Sequence, residues 1–180
     1  MTAPDNYKTP PLIAEWYEIL TQGRPFLPGR NETPPILWDC HSRGIFDDSP
    51  DVFAAALNCS WTDAEFPAQL LDEYDWVEMF RRAGYIENGV PTRRSRRKIP
   101  MLYRAATLGW ERGMSWTDNL ATARRFLRIR PGSSLWATTP DRRAVLARIH
   151  GDEGRDEDEW VLDPECLGEV VEVVDDAAGV

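Results

Sequence analysis

The sequence predicts an α+β fold, with helices concentrated in the first half of the chain and strands in the second. Three observations predict it. Apolar residues recur at helical spacing in the first ninety residues, as in LIAEWYEIL at 12–20. Six short segments rich in β-branched and aromatic residues follow after residue 100. A single amphipathic helix interrupts these strands, which favours segregated α and β regions over an alternating series.

The first half is predicted to hold three helices and one long irregular segment. The helix at 12–20 is amphipathic and is followed by a glycine and a proline that end it. Five prolines between residues 21 and 50 indicate a long loop or a wrapping arm. Helices over 49–58 and 67–84 are each indicated by an early proline, which suits the first turn of a helix.

The second half is predicted to hold six strands around one helix. The helix, NLATARRFLRI at 119–129, is expected to be N-capped by Thr117 and Asp118. The segment PDRRA at 140–144 is predicted to form a single helical turn. The predicted strands are 101–106, 114–116, 135–139, 145–150, 159–163 and 169–174.

Composition is typical of a folded globular protein. The chain has 180 residues, 42% of them apolar, and eight tryptophans, which argues against disorder. No apolar run approaches the roughly 20 residues that span a bilayer, and the start MTAPDNYKTPP lacks the pattern of a secretion signal. Three widely separated cysteines form neither a disulfide framework nor a CxxC metal pair. We therefore expect a cytoplasmic protein, in the producing or a recipient cell, with no membrane partner and no bound metal.

Charge is strongly segregated along the chain. The net charge of −9 divides into −9 for residues 1–91, +11 for residues 92–148 and −11 for residues 149–180. The middle segment includes the run TRRSRRK at 92–98, which is predicted to be an exposed connection. The middle segment could bind phosphates, or the three segments could neutralise one another in the fold.

Several common catalytic motifs are absent. The sequence contains no GxGxxG, GxxxxGKS/T, HExxH or GxSxG, and only two histidines, His41 and His150. The run DCH at 39–41 places a thiol beside an imidazole. A buried or capping role is favoured for both side chains over a Cys–His nucleophile pair.

Three short motifs occur in order in the second half. LYRA contains Arg104, SWT contains Ser115 and Thr117, and DEDEWVLDP contains Glu157 and Glu159. This ordered set resembles the mono-ADP-ribosyltransferases of the Arg–Ser–Glu class, in which an Arg strand, a Ser-x-Thr strand leading into a helix, and a Glu-x-Glu motif follow one another. The resemblance covers about residues 100–175. The bulky residue inside SWT and the extra acids around Glu157 depart from the family pattern.

The stretch DEDEWVLDP can also be interpreted from strand geometry alone. Side chains alternate between the two faces of a strand, so Glu159 and Val161 share one face while Trp160 and Leu162 share the other. If Trp160 and Leu162 pack into the core, Glu159 points away from that core, into a cleft if one lies there.

The resemblance implies a fold and a substrate. It implies a split β-sandwich core over residues 92–180, and we expect the mainly helical region 1–91 to pack against it in one compact unit. It implies NAD as a substrate, with Glu159 stabilising the positive charge that develops when the nicotinamide–ribose bond breaks. Glu157 would engage the acceptor guanidinium. The residues that would bind NAD are Arg104, Ser115, Thr117 and Phe126.

The resemblance further implies transfer of ADP-ribose to a macromolecule, expected to be a protein modified at arginine, with nucleic acid left open. A bacterial toxin or effector, or a phage-encoded modifier, would suit this chemistry and could have an antitoxin or immunity partner. Two alternatives stay open. One is an NAD glycohydrolase of the same fold, and the other is a non-enzymatic module that uses the basic 92–148 segment for binding.

Overall fold

The structure, a computed structural model, describes residues 13–22, 29–151 and 158–174. The described residues form two compact units, one ending at Arg93 and the other beginning at Arg94. The first unit is mainly helical, whereas the second holds six strands and one α-helix among its described residues. The α+β class is therefore confirmed, while the packing of both parts as one compact unit stays a prediction.

The first unit is built around a central helix, α3. The helices α1, α2 and α5 all pack against it. Trp61 of α3 meets Trp76 and Phe80 of α5 edge to face, with ring centroids 5.1 and 5.6 Å apart. The elements are α1 (Ile13–Gln22), α2 (Thr33–Ser42), α3 (Pro50–Asp63), α4 (Pro67–Leu70), α5 (Glu73–Ala83) and a hairpin of β1 (Ile86–Glu87) and β2 (Val90–Pro91).

The prediction of a long loop over residues 21–50 was wrong, because α2 lies inside it. Two consecutive prolines stand in the first turn of α2. Backbone N–H groups of a first helical turn have no intrahelical acceptor, so proline costs little there. Burial of Ile36, Leu37 and Cys40 then holds the helix against its neighbours.

The single helix predicted over residues 67–84 is divided into α4 and α5. Leu71 and Asp72 have extended backbone between them. Leu71 and Trp76 are both buried, at 1% and 0% exposure. Five positions apart, they would project about 140° apart on a continuous helix, so the break allows both to reach the core.

The second unit contains two antiparallel arrays of three strands. One array has the order β3-β5-β8, and in the other β7 lies between β6 and β4. The helix α6 packs on β3 and β5. The elements are β3 (Leu102–Ala106), β4 (Ser115–Trp116), α6 (Leu120–Ile129), β5 (Ser134–Thr138), β6 (Val145–Ile149), β7 (Glu159–Leu162), a 3-10 turn (Pro164–Cys166) and β8 (Val170–Glu172).

All six predicted strands are present, but the predicted helix cap was wrong. The side chain of Asn119, not Thr117 or Asp118, accepts the backbone N–H groups of Ala121 and Thr122, at 2.9 and 3.2 Å. Asn119 is one residue closer to the helix, within reach of the first N–H donors that lack a helical partner. Thr117 serves the preceding turn, where its hydroxyl accepts the N–H of Asn119 at 3.1 Å.

Candidate functional site

The strands that carry the three motifs are neighbours in the structure. β4 is hydrogen-bonded to β7. β3 is joined to the end of β4 by a bridge in which Tyr103 and Thr117 exchange backbone hydrogen bonds of 2.7 and 3.0 Å. The Arg104 side chain adds a further link, since its Nη1 donates to the Ser115 carbonyl at 2.7 Å. These contacts bring the Arg, Ser and Glu motifs to one region of the second unit.

The strand register places Ser115 and Glu159 on one face of the β6-β7-β4 array. Ser115 is paired with Val161, and Trp116 with Trp160. Because side chains alternate along a strand, Glu159 points to the same side as Val161 and therefore as Ser115. Ser115 is exposed and Glu159 is half-buried, so a ligand can reach both side chains from solvent.

The Arg104 guanidinium is packed against the backbone of Gly113. A Cβ built on Gly113 would lie 2.7 Å from Arg104 Cζ, well inside van der Waals contact. Only a residue without a side chain therefore leaves room for this guanidinium position. A glycine two residues before the Ser-x-Thr motif is the sequence signal for this contact, and it was not predicted.

The segment between β3 and β4 is held by hydrogen bonds at its C-terminal end. Arg112 donates from its two terminal nitrogens to the carbonyls of Gly168 and Pro164, at 2.9 and 3.0 Å. The Trp116 indole N–H donates to the Gly113 carbonyl at 2.7 Å. These bonds fix Gly113 and thereby support the position of Arg104. Arg112 was also missed, because the two carbonyls that it binds are more than fifty residues away.

The remaining predicted site residues have different surroundings. Thr117 is 8% exposed, and its hydroxyl already accepts the N–H of Asn119. Phe126 is half-buried on α6, and the guanidinium groups of Arg125 and Arg130 lie 5.4 and 5.5 Å from its ring centre. Glu157 lies outside the described residues.

Strand β7 is buried on both faces beyond its first residue. Val161 and Leu162 are both completely buried, and Trp160 is 8% exposed. The face that Glu159 shares with Val161 is therefore covered at Val161. Of the two β7 residues on that face, only Glu159 at the start of the strand retains partial exposure, and Ser115 lies on the same face two residues further along, opposite Val161.

A stacked pair covers the opposite face of β7. Arg148 of β6 is the cross-strand partner of Trp160, and its guanidinium lies 4.6 Å from the centre of the indole ring. Arg148 Nη2 also lies 3.6 Å from Asp118 Oδ2. Neither Arg148 Nε nor Trp160 Nε1 has a hydrogen-bond partner among the described residues. Stacking together with the Asp118 ion pair therefore ties β6 and β7 to the turn before α6.

We expect Arg148→Ala to lower the free energy of unfolding by about 1–3 kcal/mol, since it removes a partly desolvated cation–π contact and the partner of Asp118. Arg148→Lys should lower the free energy of unfolding by a smaller amount. Lysine keeps the positive charge beside Asp118 but cannot stack a planar group on the indole ring. Urea denaturation followed by tryptophan fluorescence measures both. The control Arg128→Ala, at an exposed position of α6, should change stability by less than about 0.5 kcal/mol. An equal effect of the Arg148 and Arg128 substitutions would contradict this role.

The Cys–His pair of the first unit is a packing feature. Cys40 is completely buried, and burial raises the pKa of its thiol to about 11. The thiolate required of a nucleophile is therefore scarce at neutral pH. The His41 ring stacks on Phe53 at 5.1 Å, and its Nε2 lies 3.6 Å from Glu78 Oε1. The structure thus favours the buried role over a nucleophile pair.

Comparison with known proteins adds no name to this site. No family model, curated protein or solved structure matches the chain. Within the described ranges, no helix is both long and apolar enough to cross a membrane. The same ranges contain no cluster of three His, Cys, Asp or Glu side chains arranged to hold a metal ion. The arrangement of Arg104, Ser115 and Glu159 is therefore the feature of the described residues that bears on function.

Proposed function

We propose that this protein is an NAD-dependent mono-ADP-ribosyltransferase, with the two strand arrays of the second unit as its split β-sandwich catalytic core. One observation carries the proposal. The strands of the Arg, Ser and Glu motifs are hydrogen-bonded neighbours, and Arg104 Nη1 donates to the Ser115 carbonyl at 2.7 Å. This proximity is what a shared substrate site requires.

The residues present suit the proposed substrate. NAD carries two phosphates and two riboses, and a half-buried guanidinium with an exposed hydroxyl can bind such groups through charge-assisted hydrogen bonds. Arg104 would hold the pyrophosphate or ribose, and Ser115 would orient the nicotinamide ribose beside Glu159. Thr117 would support this arrangement from its buried position, and Phe126 would stack on the nicotinamide.

The proposed chemistry is substitution at the ribose carbon that bears nicotinamide. The carbon–nitrogen bond breaks, and neutral nicotinamide leaves with the bonding electron pair. The Glu159 carboxylate stabilises the oxocarbenium charge left on the ribose. A nitrogen of an acceptor arginine then bonds to the ribose carbon and releases a proton. Glu157 would hold that acceptor guanidinium by charge.

Incubation with NAD labelled separately in nicotinamide and in phosphate tests this proposal. We expect nicotinamide release together with phosphate label on protein of a bacterial extract, removable by conditions that cleave arginine-linked ADP-ribose. Glu157→Ala should lose transfer and keep slow hydrolysis. Nicotinamide release without label on any macromolecule would assign the chain as an NAD glycohydrolase, and label on nucleic acid would change the acceptor. If no nicotinamide is released, NAD is not a substrate and the proposed activity is wrong.

A further inference from the structure

Part of the basic run is fixed in place by the turn between β5 and β6. Arg142 Nη2 donates hydrogen bonds to the backbone carbonyls of Arg96 and Arg97, the second at 3.0 Å. The Ser95 hydroxyl accepts the backbone N–H of Arg97 at 3.2 Å. A merely solvated linker needs no such bonds. The folded second unit therefore defines the backbone position of this segment.

Residues 94–98 of the basic run and residues 141–143 of this turn together form a predominantly positive surface. We call it the basic surface, and all its basic residues are exposed. The acid within these segments, Asp141, accepts hydrogen bonds from the backbone N–H and Nε of Arg143, which lower its pKa. The two segments thus contain six basic residues and one acidic residue. The basic residues are Arg94, Arg96, Arg97, Lys98, Arg142 and Arg143.

The hydrogen bonds that join the two segments of the basic surface leave the charge of Arg142 in place. The Nη2 hydrogen bonds of Arg142 go to peptide carbonyls, which carry no net charge, rather than to carboxylates. A concentration of like charge on an exposed surface creates a local potential that attracts polyanions. The sign is opposite to that of the chain, whose net charge is −9, so the attraction is a local property of this surface.

We propose that the basic surface binds the phosphate backbone of a nucleic acid. Five of its six cations are arginines, whose planar guanidinium groups match phosphate oxygens in a bidentate manner. It contains no aromatic or apolar side chain. The centre of a protein interface is usually enriched in apolar and aromatic residues, and base recognition by stacking uses aromatic rings. Binding through phosphates alone is therefore independent of nucleotide sequence and depends steeply on salt.

Fluorescence anisotropy with a labelled 20-base-pair DNA duplex and a single-stranded RNA of the same length tests the proposal without NAD. The titration is repeated between 50 and 200 mM NaCl. Each phosphate neutralised on duplex DNA contributes about −0.9 to the slope of log K against log salt. We expect a slope of about −4 to −5 for the wild-type protein, with little difference between two unrelated duplex sequences.

The variant replaces Arg96, Arg97 and Lys98 together by glutamine. It leaves Arg142 and the backbone carbonyls that it binds, and circular dichroism checks the fold. Removing three phosphate contacts should flatten the slope by about 3 and weaken duplex binding at least tenfold at 100 mM NaCl. The matched control replaces Arg125 and Arg128 of α6 and Arg130, the residue that follows the helix, by glutamine, which removes the same total charge. It should bind within about threefold of wild type.

Three results would overturn the proposal. The first is no binding by the wild-type protein at 50 mM NaCl. The second is an equal loss in both triple variants, which would make net charge the cause rather than this surface. The third is binding of a labelled polyglutamate of equal charge as tight as that of the duplex, which would assign an acidic protein as the partner. NAD cleavage is also measured in the variant of Arg96, Arg97 and Lys98. This measurement tests the proposed enzymatic function independently of nucleic-acid binding.

Discussion

Replacing Glu159 by glutamine is expected to reduce NAD cleavage at least a hundredfold while leaving the fold intact. Glutamine keeps the shape of the side chain and removes the negative charge opposite the developing oxocarbenium ion, an effect of about 10²–10³ for groups of this kind. The fold should survive because the buried residues that follow, Val161 and Leu162, fix β7 independently of this carboxylate. Initial rates of nicotinamide release, with thermal unfolding in parallel, measure the result.

Asp158→Asn provides a control with the same change of charge one residue earlier. Alternation along the chain directs Asp158 away from the Glu159 face, and its Oδ1 accepts the backbone N–H of Gly151 at 3.4 Å. The same oxygen lies 3.4 Å from His150 Nδ1. We expect this variant to cleave NAD within about threefold of the wild-type rate, a change below 1 kcal/mol. Comparable losses in both variants would show that general acidity of the segment matters, and not the Glu159 carboxylate.

Gly113→Ala is expected to raise the KM for NAD by about ten- to a hundredfold. The added methyl would occupy the position of the Arg104 guanidinium, with only 2.7 Å between the new Cβ and Arg104 Cζ. The backbone at Gly113 does not have a positive φ, so the main response is movement of the flexible Arg104 side chain. Losing a hydrogen bond between a charged group and the substrate is worth about 1.5–3 kcal/mol, which corresponds to this change in KM.

Two comparisons separate displacement of Arg104 from loss of stability. Gly132→Ala meets no atom within 4 Å but forces alanine to a φ of +79°, so it should destabilise the fold by about 1 kcal/mol without changing KM. Arg104→Ala should raise KM as Gly113→Ala does, and the double variant should be no worse than either. Additive effects in the double variant, or an unchanged KM in Gly113→Ala, would place the Arg104 guanidinium outside the NAD site.

The sequence was most informative where local pattern and local geometry agree. The strands of the second unit were predicted from β-branched and aromatic residues, and each is present within a residue or two of its expected bounds. The predictions failed where the same residue type is compatible with two different local structures. Consecutive prolines indicate a break inside a helix but are tolerated in its first turn, which is why α2 was predicted as loop. Thr117, Asp118 and Asn119 could all cap a helix, and only backbone geometry selects Asn119.

The candidate site divides in the same way. Arg104, Ser115 and Glu159 were predicted from their order and chemical type. Their supports, Arg112 and Arg148, were not found, because each acts on groups brought close by the fold rather than by the chain. The hydrogen bonds of Arg112 span more than fifty residues. The contact of Arg148 with Trp160 is set by the pairing register of β6 and β7, which the sequence of one strand alone does not specify.

The stretch DEDEWVLDP shows both what the local sequence determines and what depends on the tertiary structure. By itself the sequence determined that Glu159 and Val161 share one strand face and Trp160 the other, because alternation is a local property of the extended backbone. Only the tertiary structure decided that Val161 is buried, that Arg148 covers Trp160, and that Ser115 is paired with Val161, on the same strand face as Glu159. Pairing register and burial depend on residues far apart in the chain, which local preferences do not specify.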